Sequence, residues 1–303
     1  MAASHRKALL RLALLAACVF AGDRALAALL GRALPHSHFR FSLAARGGLP
    51  PNVLVLGDSR AVNGLYAPEL ARHVAVPVLN LGYNGMSTAV AEALLRDYLE
   101  RNAAPRVLVL EVTNVQQDDR LLDGLMCYWS TGPALGALAE ARSPVNRRAA
   151  GILHLYAYNG EVPLRALFYA RRSDQDWINR YRISDALLAE VRAQPDFELG
   201  ARPENLAALG RIAALARARG IALRLLVAPY LPEYLAHARN WDDWIARVRA
   251  AAGGARIWDY SRAVSDPAQF ADRLHLNDRG GVPFAARLAA DGFLAFDEAP
   301  PPE

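Results

Sequence analysis

The sequence predicts an α/β domain, a mostly parallel five-stranded sheet covered by helices on both faces, carried behind one apolar N-terminal helix. Three observations predict it. Short apolar, β-branched runs alternate with amphipathic stretches, the rhythm of parallel strands joined by crossover helices. Arg6, Lys7 and Arg11 precede or open a stretch from Ala8 to Leu34 made almost wholly of Ala, Leu, Val and Phe. The 303 residues are 53% hydrophobic and include two cysteines, Cys18 and Cys127, so the fold needs an ordinary apolar core rather than a disulfide framework or a cysteine–zinc site.

The N-terminal segment divides into a cytoplasmic stretch (1–7), a signal-anchor helix (8–34) and a linker (35–51) rich in Gly and Pro at its end. The unbroken apolar run Leu12–Gly22 is about half of the ~20 residues a spanning helix needs. Ala8–Leu34 is long enough, with Arg11 and Arg32 able to reach opposite interfaces and Asp23-Arg24 as an awkward pair inside. A cleaved signal peptide, or a lipoprotein signal at Leu15-Ala16-Ala17-Cys18, are the alternatives. All three export the domain, because the basic residues keep the N-terminus in the cytoplasm. The net charge of +5 is spread along the chain, and no basic run is interleaved with aromatics, so nucleic acid is not an expected partner.

In order, Asn52–Gly57 (NVLVLG) reads as a buried strand, Pro68–Val74 as a short helix, Val76–Asn80 as a strand and Ser87–Asn102 as an amphipathic helix capped by Ser87. Arg106–Leu110 is the third strand. The rhythm then breaks over residues 116–201, a helical, aromatic-containing insertion expected at the catalytic edge of the sheet. It resumes with a helix at Pro203–Arg219, strand Ile221–Ala228, helix Tyr234–Ala251, strand Arg256–Asp259 and a closing helix Val282–Asp291. Residues 52–298 form the domain, and 299–303 read as a disordered tail.

Chemistry in such sheets lies beyond the carboxyl ends of the strands. The first strand ends in Gly57-Asp58-Ser59, where a glycine turn can present a serine hydroxyl; Ala61 replaces the second glycine of a G-x-S-x-G elbow. A serine nucleophile needs a base and a group to orient it. Asp272-Arg273-Leu274-His275 supplies both, since Asp and His three apart in one loop can meet side by side. Gly82 and Gly85 after the second strand, and Asn114 after the third, can bare hydrogen-bond donors for an oxyanion. Each piece alone also has a purely structural reading: a helix cap, a stabilising pair, a turn.

Taken in order, the four pieces resemble the SGNH (GDSL-like) hydrolase superfamily: Gly57-Asp58-Ser59, then Gly85 five residues after Asn80, then Asn114, then Asp272-x-x-His275. The third block departs from the usual G-x-N-D, keeping only the Asn in Val112-Thr113-Asn114-Val115. The resemblance implies a flavodoxin-like three-layer sandwich with Ser59 as nucleophile, His275 as base and Asp272 as its orienting carboxylate. Gly85 and Asn114 join the Ser59 N–H as oxyanion donors, with no cofactor and no metal. An exported, anchored domain with a helical insertion is similar to the branch that handles O-acyl groups in alginate O-acetylation and teichoic-acid D-alanylation. That implies O-acyl (acetyl) transfer or ester hydrolysis on an exported polysaccharide or other acylated glycan. It also implies a membrane-bound acyl-donor protein as partner and a single-pass place in a bacterial inner membrane with the domain periplasmic. A non-catalytic polysaccharide-binding subunit is the alternative. The insertion's Trp129, Tyr156, Tyr158 and Trp177 are expected as a sugar-stacking wall, and Arg165, Arg171 and Arg172 as contacts for an acidic polymer.

Overall fold

Apolar runs of alternating facing build the centre of the molecule. The computed structural model describes residues 2–50 and 52–295, and the tail expected at 299–303 lies outside them. Strands β1 (Val53–Leu56), β2 (Val78–Asn80), β3 (Val107–Glu111), β4 (Ala222–Val227) and β5 (Ile257–Asp259) form one sheet in the order β2-β1-β3-β4-β5. Every neighbouring pair is parallel, with Val53 opposite Val78 on one side and Val107 on the other. Because successive side chains point to opposite faces, Leu54, Leu56, Leu108, Leu110 and Leu225 enter one core, and Val53, Val55, Val107, Val109 and Leu226 enter a second.

Helix α1 (Ala2–Ala33) is followed by α2 (Arg40–Arg46), α3 (Ser59–Gly64), α4 (Ala67–Leu70) and α5 (Thr88–Arg101). The insertion carries α6 (Arg120–Gly124), α7 (Pro133–Arg142), α8 (Pro144–Ile152), α9 (Glu161–Phe168) and α10 (Asp185–Ala193). The chain closes with α11 (Pro203–Ala218), α12 (Pro232–Leu235), α13 (Trp241–Ala251) and α14 (Asp278–Ala290). The first core takes buried side chains of α2, α5, α11 and α13; the second takes those of α3, α4 and α14. The result is the three-layer α/β sandwich with its helical insertion after β3.

Three segments differ from the sequence reading. The segment expected as a linker is packed into the domain over its described residues: Phe39 and Phe41 lie fully inside the first core, edge to face at 5.5 Å, and Arg40 is buried with them. The helix expected at Tyr234–Ala251 is two, because Asn240 exchanges hydrogen bonds with Leu199 (2.8 and 3.0 Å) and ties down the chain between them. The closing helix begins a turn earlier, since the Asn277 side chain accepts from the N–H groups of Arg279 and Gly280. Helix α1 is long and apolar enough to cross a membrane.

Candidate active site

The turn after β1 is dictated by Gly57. Its φ of +142° is a glycine conformation, and a Cβ there would lie 2.8 Å from the Cβ of Glu111 and 2.9 Å from that of Ala61. Asp58 then caps α3, accepting from the Arg60 N–H at 3.0 Å, while its second oxygen accepts from Gln117 Nε2 at 2.7 Å. With Asp58 so engaged, Ser59 stands as the first residue of α3, half-buried at the carboxyl edge of the sheet.

Its hydroxyl meets a residue 216 positions away: Ser59 Oγ is 2.7 Å from His275 Nε2. His275 Nδ1 lies 2.8 and 3.0 Å from the two oxygens of Asp272. A carboxylate only accepts, so Nδ1 carries the ring proton and Nε2 is left to accept from the serine. Asp272 also accepts from the N–H groups of Leu274 (2.8 Å) and His275 (3.0 Å), which fixes the loop in one turn. Burial pushes the Asp272 carboxyl up, but the His275 ring and these two N–H groups outweigh it and hold it below the usual aspartate value. The loop is pinned from behind by an isolated bridge between Phe270 and Leu276 and by Asn277, whose Nδ2 donates to the carbonyls of Ala268 and Phe270 at 2.9 Å. Thus the structure brings Ser59, His275 and Asp272 into one relay.

The loop after β2 packs against the same turn. Asn80 Nδ2 donates to the carbonyls of Ala61 and Leu65, and its Oδ1 accepts from the Gly82 N–H at 2.8 Å. Gly82 therefore has its donor occupied, and a Cβ there would come within 3.0 Å of Ala61. Glycines at 57 and 82 make the room that Ala61 fills. Gly85 sits further on at φ +73°, half-exposed, with open space where a side chain would be. Asn114, on the 3₁₀ turn Val112–Gln116 after β3, is wholly buried; its Oδ1 accepts from Thr88 Oγ1 at 2.9 Å, and its Nδ2 has no partner among the described residues. A buried amide donor left open is rare in folded proteins and is what an oxyanion site has before its ligand arrives.

Sequence reasoning missed the support beneath this edge. Arg60 is buried, its guanidinium 3.5 Å over the Tyr230 ring. It donates to the carbonyls of Leu274 (2.8 Å), Pro229 (3.2 Å) and Ala228, and Nε lies 3.4 Å from Glu111. Glu111 is fully buried at the end of β3 and accepts from the Ala228 N–H and from both donors of Thr113. Burial pushes the Glu111 carboxyl up to about 7 against the pull of Arg60. One guanidinium thus joins helix α3, the ends of β3 and β4, and the residue before His275. The only signal was a pair of charges, Arg60 directly after the serine and Glu111 ending an apolar run.

From the insertion, residues 174–183 cross the edge as a strap. Asp174 is held by Arg40 (Nε at 2.6 Å), and Gln175 exchanges bonds with the Asn80 backbone. At the far end the Asp278 N–H donates to the Asn179 carbonyl at 2.7 Å and the Ile183 N–H to that of Phe270 at 3.0 Å. Trp177 and Tyr181 are exposed along the strap, beside a hollow of about 410 Å³. The expected aromatic wall is otherwise absent. Trp129 is a core residue donating to the Leu122 carbonyl, Tyr156 donates to Asn146, and Tyr158 faces α1. Arg165 pairs with Glu161, and Arg172 covers the Phe168 ring.

No family model and no curated protein matches the sequence. Among solved structures, one from Streptococcus pneumonia, provisionally assigned as a platelet activating factor, aligns over 94% of this chain and 99% of its own, at 15% identity and a TM-score of 0.41. Another from Slackia heliotrinireducens, provisionally assigned as an SGNH hydrolase, aligns over 80% and 98%, at 15% identity and a TM-score of 0.37. In this chain the parallel sheet runs β2-β1-β3-β4-β5, with Ser59 directly after the β1 turn and the Asp272–His275 loop just before α14.

Proposed function

We propose that this chain is a serine-dependent esterase or O-acyltransferase that acts on the acyl esters of an exported glycan through an acyl-enzyme on Ser59. The single observation that carries the reading is the unbroken relay from Asp272 through His275 to Ser59, with distances of 2.8 and 2.7 Å. Ser59 Oγ attacks the ester carbonyl while His275 Nε2 takes its proton. Asp272 holds the ring in the tautomer that permits this and stabilises the imidazolium that forms. The oxyanion is met by Asn114 Nδ2 and the N–H groups of Ser59 and Gly85. His275 then returns the proton to the departing alcohol, leaving acyl-Ser59.

The second half differs only in the acceptor. Water gives hydrolysis; a sugar hydroxyl, deprotonated by the same His275, gives transfer. Trp177 and Tyr181, exposed on the strap that runs from the Asn80 loop to the start of α14, are the aromatic residues that would stack on a pyranose. An anchor that keeps the site beside a membrane-bound acyl donor favours transfer over scavenging of free esters. In this reading the domain lies on the periplasmic side of an inner membrane.

A fluorophosphonate probe should label the full-length protein at Ser59, and the label should vanish in Ser59→Ala and His275→Ala. Incubation with an acetyl donor and candidate glycans, with products read by mass spectrometry, separates the two outcomes: acetylated glycan supports transfer, and free acid alone makes the protein an esterase. Full complementation in cells by Ser59→Ala would overturn catalysis and leave a glycan-binding subunit.

A further inference from the structure

Past Gly22 the helix α1 carries two different stripes. Asp23, Ala27 and Gly31, four residues apart, face the domain. The Asp23 carboxylate accepts from the N–H groups of His154 and Leu155, both at 2.9 Å; Ala27 is buried; and a Cβ on Gly31 would come 3.0 Å from the Tyr158 hydroxyl. On another side, Leu26 and Leu29 are 53% and 60% exposed. A helix that left the membrane at Gly22 would hold both leucines in water.

Length points the same way. Ala8–Gly22 covers only about 22 Å at ~1.5 Å per residue, against ~30 Å of hydrocarbon, whereas Ala8–Leu29 covers about 33 Å. If the bilayer reaches Leu29, whatever is bonded at the level of Asp23 is immersed too. That level is fixed by the Asp23 bonds and by Arg24, which donates to the Ile152 carbonyl at 3.2 Å. There Ile152 and Leu153 are exposed, as is Val145 at the other end of α8, and no residue of α8 is buried. Asp23 itself is compensated by two N–H groups and by Arg24 at 2.8 Å, which relieves the awkward charge pair.

We propose that the edge of the insertion formed by α8 and the 3₁₀ turn after it is seated in the near leaflet of an anionic phospholipid bilayer, completing a span that α1 alone leaves short. The proposal rests on the anchored reading of α1. Anionic lipid is the occupant because the apolar face is flanked by Arg147 and Arg148. Between α8 and α1 lies a cleft of about 630 Å³ whose lining is mainly basic, with Arg24, Arg147, Arg148 and His154 against the single carboxylate of Glu140, which pairs with Arg147 at 3.7 Å.

The test uses the full chain in nanodiscs with an environment-sensitive fluorophore on single cysteines in a Cys18→Ser, Cys127→Ala background, and brominated lipid as quencher. Probes introduced by Ile152→Cys and Leu153→Cys should lose about half their emission in phosphatidylglycerol discs, as a probe introduced by Leu14→Cys does, while one introduced by Arg249→Cys is unchanged. Quenching at position 14 without quenching at 152 and 153 overturns the seated edge, leaves the anchor standing and gives the face to a protein partner. No quenching at any of the four overturns the anchored reading itself. Equal quenching in purely zwitterionic discs removes the requirement for anionic lipid.

Discussion

The carboxyl edge of the sheet and the fastenings of the insertion use the same side chains to opposite ends. At the fastenings every polar group is satisfied: Arg40 bonds Asp174 through Nε and its own N–H and reaches the Gly82 carbonyl, and both partners are buried. At the edge, satisfaction stops short. Asn114 keeps one amide donor open, Ser59 is half-buried, and Asp272 is 39% exposed behind His275. Beneath it, the Arg60–Glu111 cluster is saturated again and belongs with the fastenings in kind. The contrast makes each cluster testable by asking whether its loss appears in stability or in turnover.

The largest effect falls on the open side. Ser59→Ala should lower ester turnover by about 10³ or more, roughly 4 kcal/mol of transition-state stabilisation, while leaving the midpoint of denaturant unfolding where it was. A shift in the unfolding curve of comparable size would place Ser59 among the structural groups instead. Next comes the saturated side. Asp174→Ala leaves the Arg40 guanidinium buried without its carboxylate and should cost about 3 kcal/mol in equilibrium unfolding. Activity should fall only as far as the strap loosens, so KM for a glycan ester should change more than kcat for a small acetyl ester. Asn114→Ala returns to the open side. It should reduce kcat about 10²-fold, near 2.7 kcal/mol, and cost about 1–3 kcal/mol in stability, because its Oδ1 also accepts from the buried Thr88 hydroxyl. Unchanged kcat in Asn114→Ala would remove that donor from the oxyanion site.

Legibility in the sequence followed locality. The strands declare themselves because VLVL and VLVLE are short apolar runs, and their ends shift by only a residue or two. Ser59, Asp272 and His275 each sit in a compact string at a strand or loop end, so they could be named as candidates without knowing what packs where. The fastenings could not. Arg40 and Asp174 are 134 residues apart, and Asp23 lies 131 from His154. Nothing in a periodic pattern names the partner of a lone buried charge. Residues 35–51 failed for the same reason: a glycine- and proline-rich end reads as a connector, whereas Phe39 and Phe41 find their core only once α5 and the insertion are in place. Aromatic count misled in the insertion, since Trp129 fills the core as readily as Trp177 lines a surface.

The smallest expected effect tests the contrast most finely, because Asp272 belongs to the open edge yet carries a charge pair like those of the fastenings. Its carboxyl is raised by burial and lowered further by His275 and the N–H groups of Leu274 and His275, so its folded value lies below the ordinary 3.8. A group depressed in this way adds stability that is fully present above the unfolded value and is lost as pH falls through the folded one. Solvent reaches 39% of the side chain, so screening should hold the contribution to under about 1 kcal/mol. Unfolding of the wild type and Asp272→Asn, followed from neutral to strongly acid pH, should therefore show two curves separated slightly above pH 4 and converging below it. Turnover should behave otherwise, falling by orders of magnitude in Asp272→Asn at every pH, because an amide at that position can donate to Nδ1 and favour the tautomer that protonates Nε2. A stability gap as wide as that of Asp174→Ala would make Asp272 a fastening, and the division between saturated and open clusters would no longer run between the insertion and the edge.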